Sequence, residues 1–467
     1  MRFLVLLLLI SLNTYATDIT GDWHGKLDIQ GTKLRISFHI DYIDEKYIST
    51  MDSPDQNAKG LPTTSTHFDG DNIEIKIKNM GVTFKGRYEK EKIIGTFSQG
   101  GKSLPLELTK AVVAVKKQEP RYQEPIKPYP YLSEEVSFIN SKANNIKLVG
   151  TLTLPVNVNK PPVAILISGS GPQNRDSELK AFNQKPFLVL SDYLTRHGIA
   201  VLRYDDRGVA QSEGIHINAT SMDFASDTQA AIDYLKTRSD SINVDKIGLI
   251  GHSEGGLIAP MVAANNKDVA FIVLLAGLGI DGAQILLTQT KKAAELAGTN
   301  TEEINFSHAV SEKLFKIVQS EPNLQELSKK VITFLKEEKT KHSTTLSKHF
   351  SDEKIQEVAK SVSSPWMSYF IRTNPDDYLS HVNCPTLAIN GELDFQVVPK
   401  LNLNGIKQSL KTADNNDVTI KELKGLNHLF QTAKTGASNE YGEIEETISP
   451  IVLKLLTKWI NNRFSSK

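Results

Sequence analysis

The chain has a single cysteine, Cys384, in 467 residues, so no internal disulfide can form and stability must come from packed cores. Charge of one sign is also missing. Lys plus Arg and Asp plus Glu each number 54, a net charge of zero. With no basic cluster beside that balance, the electrostatic footing for nucleic acid is absent. Cysteine, histidine and carboxylates nowhere recur at zinc-ligand spacing, and no metal or organic cofactor is implied. An uninterrupted apolar run opens the chain, Phe3 to Ile10 behind Arg2, and it is too short for a permanent transmembrane helix. It reads as a signal peptide over residues 1–16, with small Thr14 and Ala16 placed for cleavage after Ala16. No cysteine at that point offers a lipid attachment. The expectation is an exported protein, periplasmic or secreted, with no stable membrane anchor after cleavage; an uncleaved anchor is the alternative. Cys384, ahead of Pro385 at a strand start, reads as a small buried apolar residue.

What is present divides the chain. At this length two or three units are expected. Residues 17–110 carry short alternating runs: Leu34, Ile36, Phe38, Ile40; Ile73, Ile75, Ile77; Leu104, Leu106, Leu108. Period two predicts half-buried antiparallel strands, with turns at Asp69–Asn72 and Lys90–Lys92. This is a small all-β, barrel-like domain with nothing that reads as catalytic. Residues 111–132 hold four prolines and read as an extended linker. From 133 to 467 strands alternate with helices, which predicts an α/β fold: a mainly parallel sheet with helices on both faces. The segments 186–197, 200–204, 223–238, 247–251 and 271–276 show the alternation. From about 281 to 372 the pattern turns helical without strands.

The sharpest signal is Gly251-His252-Ser253-Glu254-Gly255, preceded by a strand and followed by a helix. This is G-x-S-x-G in strand–turn–helix context, the nucleophile elbow. Small residues two positions either side let strand and helix pass closely while the serine stands clear of the sheet. The turn points the amide of Glu254 at a developing oxyanion. Serine alone is a poor nucleophile and needs a base and a residue that orients it. With this elbow the order is serine, acid, histidine. Asp394, after the apolar strand from Thr386, is the acid; Glu392 is a local rival. His428, in a loop after the strand 417–423, is the base, and no other histidine follows Asp394. The second oxyanion amide is assigned to Ser170, in the turn after the strand 163–167.

Five motifs lie in one order: Gly169–Asp176, Arg203–Ser212, the elbow, Asn390–Asp394 and Asn427–Phe430. Through them residues 133–467 resemble the α/β-hydrolases of the serine esterase and lipase group, with further likeness to serine aminopeptidases. Two positions depart from the group's pattern: Ser168 stands where a histidine is usual, and Ala210 replaces a glycine. The resemblance implies that the helical segment is a lid over an acyl pocket, with Trp366 in its most apolar part. It also implies that Arg175 and Asp176 stand near the entrance, where they either bind polar substrate groups or pair to fix the loop. The opening Gly21–Leu27 and closing Ile94–Gly101 resemble the lipocalin-like domain that precedes some exported hydrolases.

The expected activity is hydrolysis of small-molecule carboxylic esters through Ser253, His428 and Asp394. A serine peptidase acting on short peptides, with Glu254 holding the free amine, is the alternative. A non-catalytic binding protein is a weaker one, since no triad member is missing. Gly277–Gly282 matches a dinucleotide fingerprint, but late in the sheet, and Gly95–Ser103 only approximates a P-loop among strands. Nothing in the sequence bears on self-association.

Overall fold

A computed structural model describes residues 18–29, 32–56, 58–99, 102–110, 121–341 and 350–464. The expected signal peptide and residues 111–120 of the expected linker lie outside the described residues. The chain divides into two compact units, Met1–Lys117 and Gln118–Lys467.

The first unit is one nine-stranded antiparallel sheet: β1 Gly21–Ile29, β2 Thr32–Ile43, β3 Lys46–Ser53, β4 Ala58–Pro62, β5 Ser65–Phe68, β6 Asn72–Ile77, β7 Val82–Glu89, β8 Lys92–Gln99 and β9 Lys102–Thr109. Their order is β4-β3-β2-β1-β9-β8-β7-β6-β5. The alternation read in the sequence is what folds here. Ile73, Ile75 and Ile77 point inward with Phe38, Phe84 and Trp23, while their neighbours meet solvent. Lys90 and Glu91 turn β7 into β8 with φ of 47° and 65°, the left-handed pair that suits a tight hairpin. The chain crosses directly between the two end strands, and the Ser49 hydroxyl on β3 meets Thr66 on β5 at 2.7 Å. The sheet therefore curls back on itself.

The second unit is built on an eight-stranded sheet: β10 Leu132–Asn140, β11 Ile146–Leu154, β12 Val163–Ile167, β13 Ala200–Tyr204, β14 Ile247–His252, β15 Val269–Leu275, β16 Thr386–Gly391 and β17 Val418–Leu423. The order is β10-β11-β13-β12-β14-β15-β16-β17. From β13 to β17 neighbours are parallel, while β10 and β11 pair antiparallel at one edge. This is the α/β-hydrolase topology. The central strands read as unbroken apolar runs because both faces are covered. They are covered by α1 Pro186–Arg196, α2 Ser221–Lys236, α3 Gly255–Ala263, α10 Pro399–Thr412 and α11 Pro450–Phe464.

Between β15 and β16 the chain runs through α4 Gly282–Leu296, α5 Thr301–Ser320, α6 Leu324–Lys341, α7 Asp352–Val362, α8 Pro365–Arg372 and the short α9 Asp376–Leu379. These helices bury an apolar cluster of their own, including Leu287, Leu314, Val318, Val331 and Ile371. The proline-rich stretch is held to the α/β unit from Arg121 onward. Arg121 donates to the Asn183, Phe182 and Gly442 carbonyls, and Tyr131 donates to Asp192. Among the described residues no helix is long and apolar enough to cross a membrane.

Candidate active site

The sheet delivers four loops to one end. The first is the turn from β14 into α3, where Ser253 sits at φ 55°. An L side chain holds that conformation only when its surroundings enforce it. Two contacts do so. The Ser253 N–H donates to the Leu275 carbonyl at 2.9 Å, and glycines flank the turn. A Cβ on Gly251 would collide with the Gly255 carbonyl, and one on Gly255 with the Ile167 carbonyl. Glycine is needed at both positions because backbone passes against backbone.

Asp394 follows β16 and is 3% exposed. Its Oδ1 accepts the N–H groups of Gln396 at 2.8 Å and Val397 at 2.9 Å. That leaves Oδ2 for His428 Nδ1, 2.8 Å away. His428 arrives on the loop after β17, where buried Asn427 shapes the backbone by accepting the N–H groups of Leu429 and Gln431. Glu392, the rival acid, faces elsewhere and accepts the Gly425 N–H at 2.9 Å. His252 supports His428 from beneath: its Nε2 donates to the His428 carbonyl at 3.0 Å and the two rings lie 4.8 Å apart. Burial pushes the His252 imidazole down to about 3, so it is neutral and stays a donor at that nitrogen.

The fourth loop is Ser168-Gly169-Ser170 after β12. It runs so close that a Cβ on Gly169 would lie 3.1 Å from the Ser253 Cβ. Among the described residues neither the Ser170 N–H nor the Glu254 N–H donates to any protein acceptor. Asp206 anchors this loop at both ends. Its Oδ1 accepts the Ser168 hydroxyl at 2.6 Å and its Oδ2 the Gln173 N–H at 2.9 Å. Burial raises the Asp206 carboxyl to about 7, against the pull of those two donors.

Ser253, His428, Ser170, Glu254 and Trp366 all line one cavity of about 480 Å³. The insertion contributes Leu286, Met367 and Phe370 to its walls. No hydrogen bond joins the Ser253 hydroxyl to His428 among the described residues. Trp366 donates its indole N–H to Glu254 Oε1 at 2.8 Å, and the Ser221 hydroxyl reaches the same oxygen at 2.6 Å. Arg175 and Asp176 do not line the cavity. Arg175 forks onto Asp205 at 2.7 and 3.1 Å and also reaches Gln211. Asp176 accepts Arg203 Nε at 3.0 Å. They bond to other partners rather than to each other, and both fix the loop that carries them.

The residues that sequence reasoning passed over are Asp206, Ser221 and His252. Asp206 and His252 stood inside quoted motifs, and Ser221 carried no signal. No group of three His, Cys, Asp or Glu side chains among the described residues is placed to hold a metal ion.

Several known proteins resemble this one. Esterase EstD of Thermotoga maritima is 29% identical over 120 residues, 26% of this chain. The match spans 28% of that relative's own length. Among solved structures, the α/β-hydrolase GrgF of Penicillium sp. sh18 is 17% identical over 71% of this chain and 99% of its own, with a TM-score of 0.41. The Pyrococcus furiosus esterase Pf2001 is 15% identical over 72% of this chain and 93% of its own, also at 0.41. The family model described as serine aminopeptidase, S33, matches residues 186–432. That span covers more than half of the chain and takes in the elbow, Asp394 and His428, and the chain belongs to this hydrolase family.

Proposed function

We propose that the protein cleaves carboxylic esters with Ser253 as nucleophile, His428 as base and Asp394 as the group that orients it. The observation that carries this reading is the buried 2.8 Å bond between His428 Nδ1 and Asp394 Oδ2, in a site whose serine is held at φ 55°. With Nδ1 committed to Asp394, His428 Nε2 takes the serine proton as the hydroxyl attacks the acyl carbon, and Asp394 stabilises the imidazolium. The free amides of Ser170 and Glu254 receive the oxyanion, each donor worth ~3–4 kcal/mol. His428 then protonates the leaving alcohol. It next activates a water that releases the acyl group. The Ser253–His428 contact belongs to the class of catalytic hydrogen bonds that tighten when substrate binds.

Esters are favoured because Leu286, Met367 and Phe370 give the cavity apolar walls and because a relative is named an esterase. A second reading, peptide hydrolysis, draws on the family's description and on the buried Glu254 carboxyl in the cavity wall. Helices α4 to α9 act as a lid that limits water and substrate length. Export rests on the N-terminal sequence alone. A lipocalin-like first unit is supported by its curled sheet and by an apolar cavity of about 220 Å³ lined by Leu27, Ile36, Met51 and Phe97. The test is turnover of p-nitrophenyl esters of two to sixteen carbons beside aminoacyl nitroanilides, with Ser253→Ala as control. Serine-dependent ester turnover supports the first reading, and turnover of anilides alone moves the protein to the peptidases.

A further inference from the structure

Glu254 enters the site twice, once through its amide and once through its carboxyl. The residue is 1% exposed. Its Oε1 takes two donors from distant parts of the chain: the Ser221 hydroxyl at the first residue of α2 and the Trp366 indole on α8. Among the described residues its Oε2 has no hydrogen-bond partner. The Ser170 hydroxyl lies near enough to favour the ionised form, yet no hydrogen bond of acceptable geometry reaches Oε2. A buried carboxyl oxygen left unpaired costs stability, and a leucine or methionine would fill the same space without that cost. The arrangement therefore serves something other than packing.

We propose that the Glu254 carboxyl is a positioning group that ties the oxyanion amide of its own residue to the helical insertion, so that docking of Trp366 fixes the donor. This rests on the serine-hydrolase reading above. The amide and the side chain leave the same Cα, and Glu254 is the first residue after a serine in left-handed conformation, with no preceding turn of helix to hold it. The Gly256 N–H on the Ser253 carbonyl and the Leu257 and Ile258 N–H groups on the Glu254 carbonyl hold the backbone from either side, and what grips the side chain adds a further restraint at the same Cα. Ser221 supplies a grip from the body of the fold, and Trp366 supplies one from the insertion. Trp366 is itself steadied by stacking on Phe370, ring centres 5.2 Å apart. The last helix of the insertion that reaches the cavity thus carries the indole that braces the residue whose amide serves the oxyanion site.

The experiment reads the rate at which ethyl p-nitrophenyl methylphosphonate labels Ser253. In that step the serine oxygen bonds to phosphorus, p-nitrophenolate leaves, the serine proton goes to His428, and the phosphoryl oxygen occupies the oxyanion site. The probe serves esterase and peptidase alike. Trp366→Phe keeps the stacked ring and removes the N–H; its labelling rate should fall five- to twentyfold. Glu254→Leu should fall at least as far. Glu254→Gln, which keeps an oxygen for Trp366 and Ser221, should recover much of the loss. The double variant Glu254→Leu/Trp366→Phe should be no slower than Glu254→Leu alone, since both cut one link. On p-nitrophenyl acetate the same loss should appear in kcat rather than KM. Additive losses, or a Trp366→Phe protein that labels at the parental rate, overturn the proposal. A role as mere pocket wall would raise KM for long esters and leave labelling unchanged, which also overturns it. Failure of the parent to label at Ser253 sinks the serine-hydrolase reading itself and is distinguishable from both.

Discussion

Burial works in opposite directions on the two titratable neighbours of this site. It strips the proton from His252, pushed to about 3, and keeps one on Asp206, pushed to about 7. For Asp206 the folded chain holds a proton that the unfolded chain, with an ordinary carboxyl near 4, has released. Its contribution to stability is complete below about pH 4 and is lost as pH rises through about 7. Asp206→Asn removes the titration and can keep the loop anchored, accepting from the Gln173 N–H and donating to the Ser168 hydroxyl. Relative to the parent, this variant should gain about 1–3 kcal/mol between pH 5 and pH 8.5, the scale of an ill-compensated buried polar group. Urea unfolding at the two pH values measures it, and a stability difference that does not move with pH would sink the idea. Ser253→Ala tests the nucleophile. Among the described residues Oγ makes no hydrogen bond, so melting should stay within a degree or two while turnover falls on the order of 10⁴-fold or more. Asp394→Asn should lose on the order of 10⁴-fold as well, because the amide offers a donor where His428 Nδ1 needs an acceptor. Circular dichroism beside ester turnover separates these losses from misfolding.

Elements announce themselves in sequence when one physical cause dominates them. The alternation of Ile73, Ile75 and Ile77 gives β6, and the apolar run Val163–Ile167 gives β12, because burial on one face or on both writes directly into residue order. Helix α2 begins at Ser221, two residues before the expected Asp223, since Thr220 and Asp223 bond each other as a capping box. The order of elbow, Asp394 and His428 was legible because each sits at a strand end. Asp206 under the loop of Ser168 to Ser170, and Ser221 and Trp366 on Glu254, were not: they pair residues 33 to 112 positions apart, and spacing along the chain carries no trace of such pairing. Arg175 and Asp176 were legible as charged loop residues, but only their partners Asp205 and Arg203 say that they brace the loop. One element-scale test concerns the crossing of α3 over β12. Gly255→Ala places a methyl against the Ile167 and Ser168 carbonyls, and neither backbone can yield without moving the elbow. The expected cost is about 3 kcal/mol, read as a lowered urea midpoint with turnover falling alongside. A variant of parental stability would mean that the two backbones do not pass as closely as described.

At the scale of the whole molecule, the useful question is where the hydrolase unit begins. Its apolar core, from Val136 and Phe138 through Trp459 and Ile460, shares no residue with the core of the first unit, built on Trp23, Phe38 and Phe84. Each unit therefore has its own reason to fold. Composition alone puts the hydrolase boundary at residue 133, past the last proline of the stretch. The hydrogen bonds put it earlier. Arg121 satisfies three backbone carbonyls, at Phe182, Asn183 and Gly442. Gln123 donates to the Ile448 carbonyl and accepts the Thr447 and Ile448 N–H groups. Glu124 pairs with Lys185 at 2.9 Å, mostly out of solvent. These contacts tie Phe182 and the 442–448 segment, which flank the cavity-lining Tyr441, to the body of the unit. A fragment of residues 118–467 should fold alone and label at Ser253 at close to the full-length rate. A fragment of residues 133–467 leaves those carbonyls and N–H groups without partners. At about 1 kcal/mol for each hydrogen bond lost, it should be several kcal/mol less stable. Urea unfolding of the two fragments decides the matter. Equal midpoints would return the segment from Arg121 to the status of a linker, and an unfolded longer fragment would show that the hydrolase unit depends on the first.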